Sequence, residues 1–119
     1  MSSRFTELAV DCRDAPRLAE FWCEVLGWKV GEAEPGLVEI VGDEPGPTIL
    51  FAEVPEPKTV KNRLHVDVSP RDRDQAAEVE RILALGARRV DVGQGDDVSW
   101  VVLADPEDNE FCVLRTQRP

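Results

Sequence analysis

Apolar and polar residues alternate along Phe5-Thr6-Glu7-Leu8-Ala9-Val10-Asp11-Cys12, and the run ends in Arg13-Asp14, where a turn is favoured. Alternation at period two predicts a half-buried strand. The period then changes. Leu18, Phe21, Trp22, Val25 and Leu26 recur at the spacing of one helix face. Asp14 is placed to cap that helix, Pro16 fits its first turn, and Gly27 suits the left-handed position after its last turn. Three short strands are predicted next, over 28–33, 37–42 and 48–54, with Pro and Gly punctuating them. Residues 54–62, rich in Pro and Lys, read as a linker or loop.

The second half runs the same way. Arg63-Leu64-His65-Val66-Asp67-Val68 alternates and predicts a strand. Residues 71–86 predict a helix with Ala76, Val79, Ile82 and Leu83 inward and Gly86 at its end. Strands follow over 88–92, 99–104 and 111–116, separated by turns at 93–97 and 105–109. The order is β-α-β-β-β, twice. Glu7 stands seven residues before Asp14, and His65 stands seven residues before Asp72. Each such Asp precedes a helix that ends in Leu-Gly, at Leu26-Gly27 and Leu85-Gly86. A repeat of roughly 55 residues is too long for a solenoid unit and reads as a duplicated module.

The expected fold is therefore α+β: two β-α-β-β-β modules forming one curled, mostly antiparallel eight-stranded sheet, with a helix outside each half. One domain over 1–119 is expected, with module one over about 4–55 and module two over about 62–116. Strand parity sends Leu8, Val10, Leu64, Val66, Val68, Phe111 and Val113 toward the helices. It sends Glu7, Ala9 and Asp11, then His65 and Asp67, then Glu110, Cys112 and Leu114 to the opposite face. In the fourth strand the same count assigns Leu50, Ala52 and Val54 to the helix side, and Ile49, Phe51 and Glu53 to the inner face. A curled sheet with polar residues on its concave side makes a cleft, the usual place for a small molecule.

Charge narrows the partners. Lys and Arg total 14 against 24 Asp and Glu, a net charge of −10. A nucleic-acid partner needs a basic face and is not expected. No apolar run reaches the roughly 18–20 residues of a membrane span, so no membrane association is expected. The first ten residues have no apolar signal core, and Cys12, Cys23 and Cys112 are odd in number and widely spaced. A reduced, cytoplasmic setting is expected. The Gly-Gln-Gly of 93–95 lacks the strand-to-helix context of a phosphate loop. Lys58, Lys61 and Arg63 crowd the approach to His65, the single histidine of 119 residues.

Three stretches carry a resemblance: Phe21-Trp22-Cys23-Glu24-Val25-Leu26-Gly27-Trp28, Arg63-Leu64-His65-Val66-Asp67-Val68, and Leu103-Ala104-Asp105-Pro106-Glu107-Asp108-Asn109-Glu110-Phe111-Cys112-Val113-Leu114. With the paired module order, they resemble the vicinal oxygen chelate superfamily, which includes glyoxalase I, extradiol dioxygenases and bleomycin-resistance proteins. The second and third stretches are similar to a small glyoxalase-like branch of it. The resemblance covers nearly the whole chain and implies a small-molecule ligand and a homodimer. It implies either an isomerase or lyase with a degenerate metal site, or a metal-free protein that sequesters an antibiotic or other small molecule.

That superfamily places metal ligands on the first and last strand of each module. Carried over by position, these slots fall on Glu7, Phe51 (or Glu53 two residues on), His65 and Cys112. Phe51 has no donor atom, and relatives usually carry Glu at the slot of Cys112. The resemblance therefore implies no tightly held metal. If one binds, Zn²⁺ on Glu7, His65 and Cys112 is expected, since thiolate and imidazole suit it. An extradiol dioxygenase needs two His and a carboxylate for Fe(II), which one histidine excludes. Glu7, Glu53 and His65 are the candidate acid–base residues. Phe51, Arg63, His65, Trp100 and Cys112 are the candidate cleft residues.

Overall fold

The computed structural model describes residues 1–90 and 99–115. The turn expected at 93–97 and the end of the last strand at 116 lie outside them. The chain divides into two compact units, Met1–Pro57 and Lys58–Pro119. Both follow one plan, β-α-β-β-β, and the fold is α+β.

The first unit runs β1 (Glu7–Cys12), α1 (Ala15–Leu26), β2 (Lys29–Glu34), β3 (Leu37–Val41) and β4 (Thr48–Glu53). The strand order is β1-β4-β3-β2, with β1–β4 parallel and the other two pairs antiparallel. Asp14 caps α1 by accepting from Arg17 N at 3.2 Å. Gly27 ends the helix at φ +70°, a left-handed conformation that only glycine adopts without strain, and its N–H reaches Cys23 O at 2.8 Å. Ala15, Leu18, Ala19, Phe21, Trp22 and Val25 form the buried stripe of α1, facing Val38, Ile40 and Phe51 of the sheet.

The second unit runs β5 (Asp67–Val68), α2 (Gln75–Ala84), β6 (Arg88–Arg89), β7 (Val101–Ala104) and β8 (Glu110–Val113). The order is β5-β8-β7-β6, again with a parallel first–last pair and two antiparallel pairs. Val79 and Ile82 of α2 are buried with Val68, Leu103, Phe111 and Val113, which share one sheet face by register. The eight expected strands are present, divided between two hydrogen-bonded sheets of four. Among the described residues no helix is long and apolar enough to cross a membrane.

Three local expectations change. The helix expected over 71–86 starts only after Asp74, whose carboxylate accepts from Ala77 N at 2.8 Å, and Ala76, expected inward, is exposed. The expected strand over 63–68 is reduced to its last two residues, and Leu64 is 82% exposed rather than turned to a helix. The segment before it is held by side chains instead. Lys58 Nζ donates to Glu110 at 2.9 Å, Asn62 N donates to the same carboxylate at 2.9 Å, and Asn62 Nδ2 reaches Asn109 Oδ1 at 3.0 Å. The third change concerns β4. Its pairing sets Phe51 beside Val10 and Val38, and Ile49 beside Leu8 and Ile40. Phe51 and Ile49 are thus on the helix side, and Phe51 is only 1% exposed.

The turn between β7 and β8 is organised by a buried carboxylate. Asp105 accepts from Glu107 N at 2.9 Å and from Asn109 N at 3.0 Å, while Asn109 Nδ2 lies within 3.2 Å of both of its oxygens. Asp108 takes the left-handed conformation at φ +70° to close the turn. Removing the carboxylate strands two backbone donors in a site that is 2% exposed. Asp105→Ala is expected to cost about 2–3 kcal/mol in urea unfolding. Asp105→Asn, which keeps one acceptor oxygen, is expected to cost less.

Candidate functional site

The parallel pair β5–β8 is what builds the site. Asp67 lies directly opposite Cys112, so the two side chains share a face, and Val102 of β7 pairs with Cys112 on that same face. His65 is two residues before Asp67 and turns the same way. Its Nδ1 is 3.1 Å from Asp67 Oδ1 and 3.9 Å from Cys112 Sγ. One potential donor atom from each residue lies within 4.8 Å of the other two. The face opposite this group is the one that takes α2.

The three groups differ in exposure. The His65 and Asp67 side chains are 42% and 46% exposed, whereas Cys112 is buried at 7%. Burial pushes the Cys112 thiol up to about 11, with the charge and hydrogen bond of Asp67 adding to the effect and Lys61 opposing it. The metal-free group is therefore a hydrogen-bonded network with a protonated thiol at neutral pH. A Cys–His–Asp nucleophilic relay does not fit it. Such a relay needs the two imidazole nitrogens to face different partners, and here Nδ1 faces both. Among the described residues Nε2 has no hydrogen bond.

The other candidates belong to other elements or have other partners. Glu7 opens β1 and is exposed. Glu53 falls on the helix side with Phe51, and its carboxylate accepts from Ala15 N at 2.9 Å, in the first turn of α1. The expectation that Phe51 and Glu53 face the open side is corrected by the β1–β4 register. Arg63 is exposed in the bend before His65. Trp100 stands one residue before β7, is 39% exposed, and continues the alternation of Val102. Asp67 was not among the sequence-predicted site residues, although its parity with His65 was visible. A groove of about 540 Å³ in the first unit, between α1 and β2–β3, is lined by Ala19, Cys23, Val30 and Val38 and by none of these candidates.

A family model described as a glyoxalase-like domain matches residues 7–114. The chain belongs to that family. Solved structures share its fold. A glyoxalase/bleomycin resistance protein/dioxygenase family enzyme from Burkholderia phytofirmans PsJN superposes with a TM-score of 0.70 at 21% identity, over 93% of this chain and 97% of that one. A glyoxalase/bleomycin resistance protein from Albidiferax ferrireducens T118 gives 0.63 at 18% identity, over 95% and 98%. The E126Q mutant of the fosfomycin resistance protein FosX from Listeria monocytogenes, complexed with Mn(II) and 1S,2S-dihydroxypropylphosphonic acid, gives 0.76 at 14% identity, over 98% and 93%. No curated protein sequence matches the chain.

The Mn(II) of that FosX structure raises the question of fit. Of the four positions that the superfamily resemblance marks for metal ligands, Phe51 has no donor atom and is packed under α1. Cys112 places sulfur where hard cations favour oxygen. The four-slot arrangement that the resemblance implies does not fit these residues.

The loop before the site is fixed by Glu110. Burial pushes its carboxyl up, but hydrogen bonds from Asn62 N, from Lys58 Nζ and from its own backbone outweigh this, and the net shift is downward. A carboxyl lowered in the folded state stabilises above its unfolded range, and that contribution is lost as pH falls through the folded value. The stability difference between wild type and Glu110→Gln, measured by urea unfolding at a series of pH values, is expected to be largest near neutrality and to shrink in acid.

Proposed function

We propose that this chain is a glyoxalase-like small-molecule-binding protein whose ligand is anchored by His65. The observation that carries this reading is the pose of that side chain. Asp67 faces Nδ1 and fixes the ring proton there, so Nε2 keeps its lone pair. The ring is part-exposed, with no protein partner recorded at Nε2 among the described residues. Trp100, 39% exposed and in step with Val102 along β7, is the exposed aromatic of the same sheet face and offers a flat surface for stacking. A few exposed polar atoms with an aromatic surface suit a small organic ligand.

An enzymatic reading, an isomerase or lyase, is favoured by the same pair. With Nδ1 held by the carboxylate, Nε2 is the ring atom placed to take a proton from a carbon beside a carbonyl and return it to a neighbouring atom. Glu7 is the second candidate base. The metal-free alternative is sequestration, and the net charge of −10 suits a cationic drug. Three free cysteines support a reducing, cytoplasmic setting. A homodimer is proposed as well, supported by β2, an edge strand exposed along all six of its residues. Light scattering at micromolar concentration is expected to give twice the chain mass.

The test of the ligand site is a thermal-shift and tryptophan-fluorescence titration with bleomycin, fosfomycin and dihydroxypropylphosphonic acid, on wild type and His65→Ala. At least one of them is expected to bind wild type. His65→Ala is expected to weaken that binding about tenfold or more, the loss of one hydrogen bond of about 1.5 kcal/mol. Because the side chain is part-exposed, unliganded stability is expected to change little. Equal binding by both proteins would remove His65 from the site. Chemical change of the bound molecule would decide for an enzyme, and unaltered release for sequestration.

A further inference from the structure

We infer that the second module by itself carries a site for a zinc-type divalent cation, with His65 Nδ1, an Asp67 carboxylate oxygen and Cys112 Sγ as its three protein donors. The site departs from the family's slots in two ways. It replaces the missing donor with Asp67, which no slot includes. It also closes within one module, so it needs neither Phe51 nor Glu7. It lies on the residues read above as the ligand anchor, yet its test is separate.

Geometry carries the inference. The register of β5 and β8 sets Asp67 and Cys112 side by side, and His65 comes over them from two residues upstream. Zinc bonds of about 2.0–2.3 Å in a tetrahedron put donor atoms about 3.3–3.8 Å apart. The distances from His65 Nδ1, 3.1 Å to Asp67 and 3.9 Å to Cys112, bracket that range, and no separation in the group exceeds 4.8 Å. The adjustment needed is about 1 Å. It falls on His65 and Asp67, which are part-exposed and able to turn, while buried Cys112 stays put. The exposed side also gives the ion its way in.

Chemistry selects the ion. A thiolate, an imidazole and one carboxylate favour Zn²⁺ or Co²⁺ over Mg²⁺ and Mn²⁺, which take oxygen donors. Binding displaces the thiol proton into solvent, and the ring proton moves from Nδ1 to Nε2, so that a neutral imidazole binds through Nδ1. The net charge of the three ligands becomes −2, which a divalent cation balances. Lys61, whose charge reaches Cys112, opposes the cation, but its Nζ is turned to Asn62 O at 3.2 Å. Three protein ligands leave a fourth position for water or an oxygen of a bound molecule, the arrangement of catalytic rather than structural zinc.

The experiment is a Co²⁺ titration of the metal-free full chain, followed by optical absorption. One equivalent is expected to give a near-ultraviolet thiolate-to-cobalt band and the visible bands of a four-coordinate ion. Zn²⁺ is expected to abolish them and Mn²⁺ to leave them intact. Asp67→Asn and His65→Ala are each expected to weaken binding about 10–100-fold or more, the range reached even by residues one step removed from a metal. Cys112→Ser is expected to lose the thiolate band, and Cys23→Ser and Glu7→Gln are expected to keep it. Absence of the band in wild type, its survival in Cys112→Ser, or unchanged affinity in both Asp67→Asn and His65→Ala would overturn the site. The two exposed-residue variants decide the matter even if Cys112→Ser does not fold. Failure here with His65-dependent ligand binding intact would leave the small-molecule reading standing.

Discussion

In each unit the first strand pairs in parallel with the last, and the register of that pair decides what the first and last strands can do together. Residues directly opposite across the ladder share a face. In the second unit this sets Asp67 against Cys112 and Val68 against Val113, which separates a polar, open face from the apolar face under α2. In the first unit the same pairing sets Val10 against Phe51 and Cys12 against Glu53. One topological rule thus produces a donor cluster in one half and a packed aromatic in the other. A slip of one residue in either ladder would exchange the two faces and bury the polar groups. The apolar faces resist it, because Val68, Val113, Leu103 and Phe111 are all at or below 9% exposure.

The two halves have diverged along lines that the repeat makes visible. In the first, the end of β4 serves the fold: Phe51 fills the core, and Glu53 satisfies an N–H at the start of α1 that would otherwise lack a partner. In the second, the end of β8 serves the site, and the work of fixing the chain moves to Glu110 and Asp105. Glu110 ties the approach to His65 through Lys58 and Asn62, and Asp105 shapes the turn before β8. His65 is thereby held from both directions in the chain although β5 itself has only two residues.

Much of this was legible in the pattern of residues. The β-α-β-β-β order, both caps of α1 and the shared face of His65, Asp67 and Cys112 follow from periodicity and turn chemistry. What stayed hidden has identifiable causes. Residues 49–52 are Ile, Leu, Phe and Ala, so alternation gives no sign of which side is the core. The larger side chain took it. The Arg-Asp-Arg-Asp run of 71–74 offers two equivalent caps two residues apart, and only the approach of Asp74 to Ala77 N decides between them. The late start of the strand expected over 63–68 comes from contacts 47 to 52 residues away in sequence, which no local pattern encodes. Asp67 falls on none of the slots that the resemblance marks, although alternation alone places it on the face of His65.

The acidic composition acquires a different meaning once these roles are assigned. A net charge of −10 suggests a surface that draws cations everywhere. Several carboxylates, however, are already spoken for by the fold. Asp14 and Asp74 cap helices, Glu53 and Asp105 satisfy backbone donors, Glu110 holds a lysine, and buried Glu78 is paired with Arg81 at 2.8 Å and Arg73 at 3.6 Å. A carboxylate engaged in this way has little attraction left for a ligand, because its charge is met locally and its lone pairs are filled. Asp67 differs. Its partners are an imidazole, which suits zinc, and a thiol that becomes a metal ligand once deprotonated. Charge on this protein is abundant, but charge that can be exchanged for a ligand is local, and in the second unit it is found where β5 meets β8.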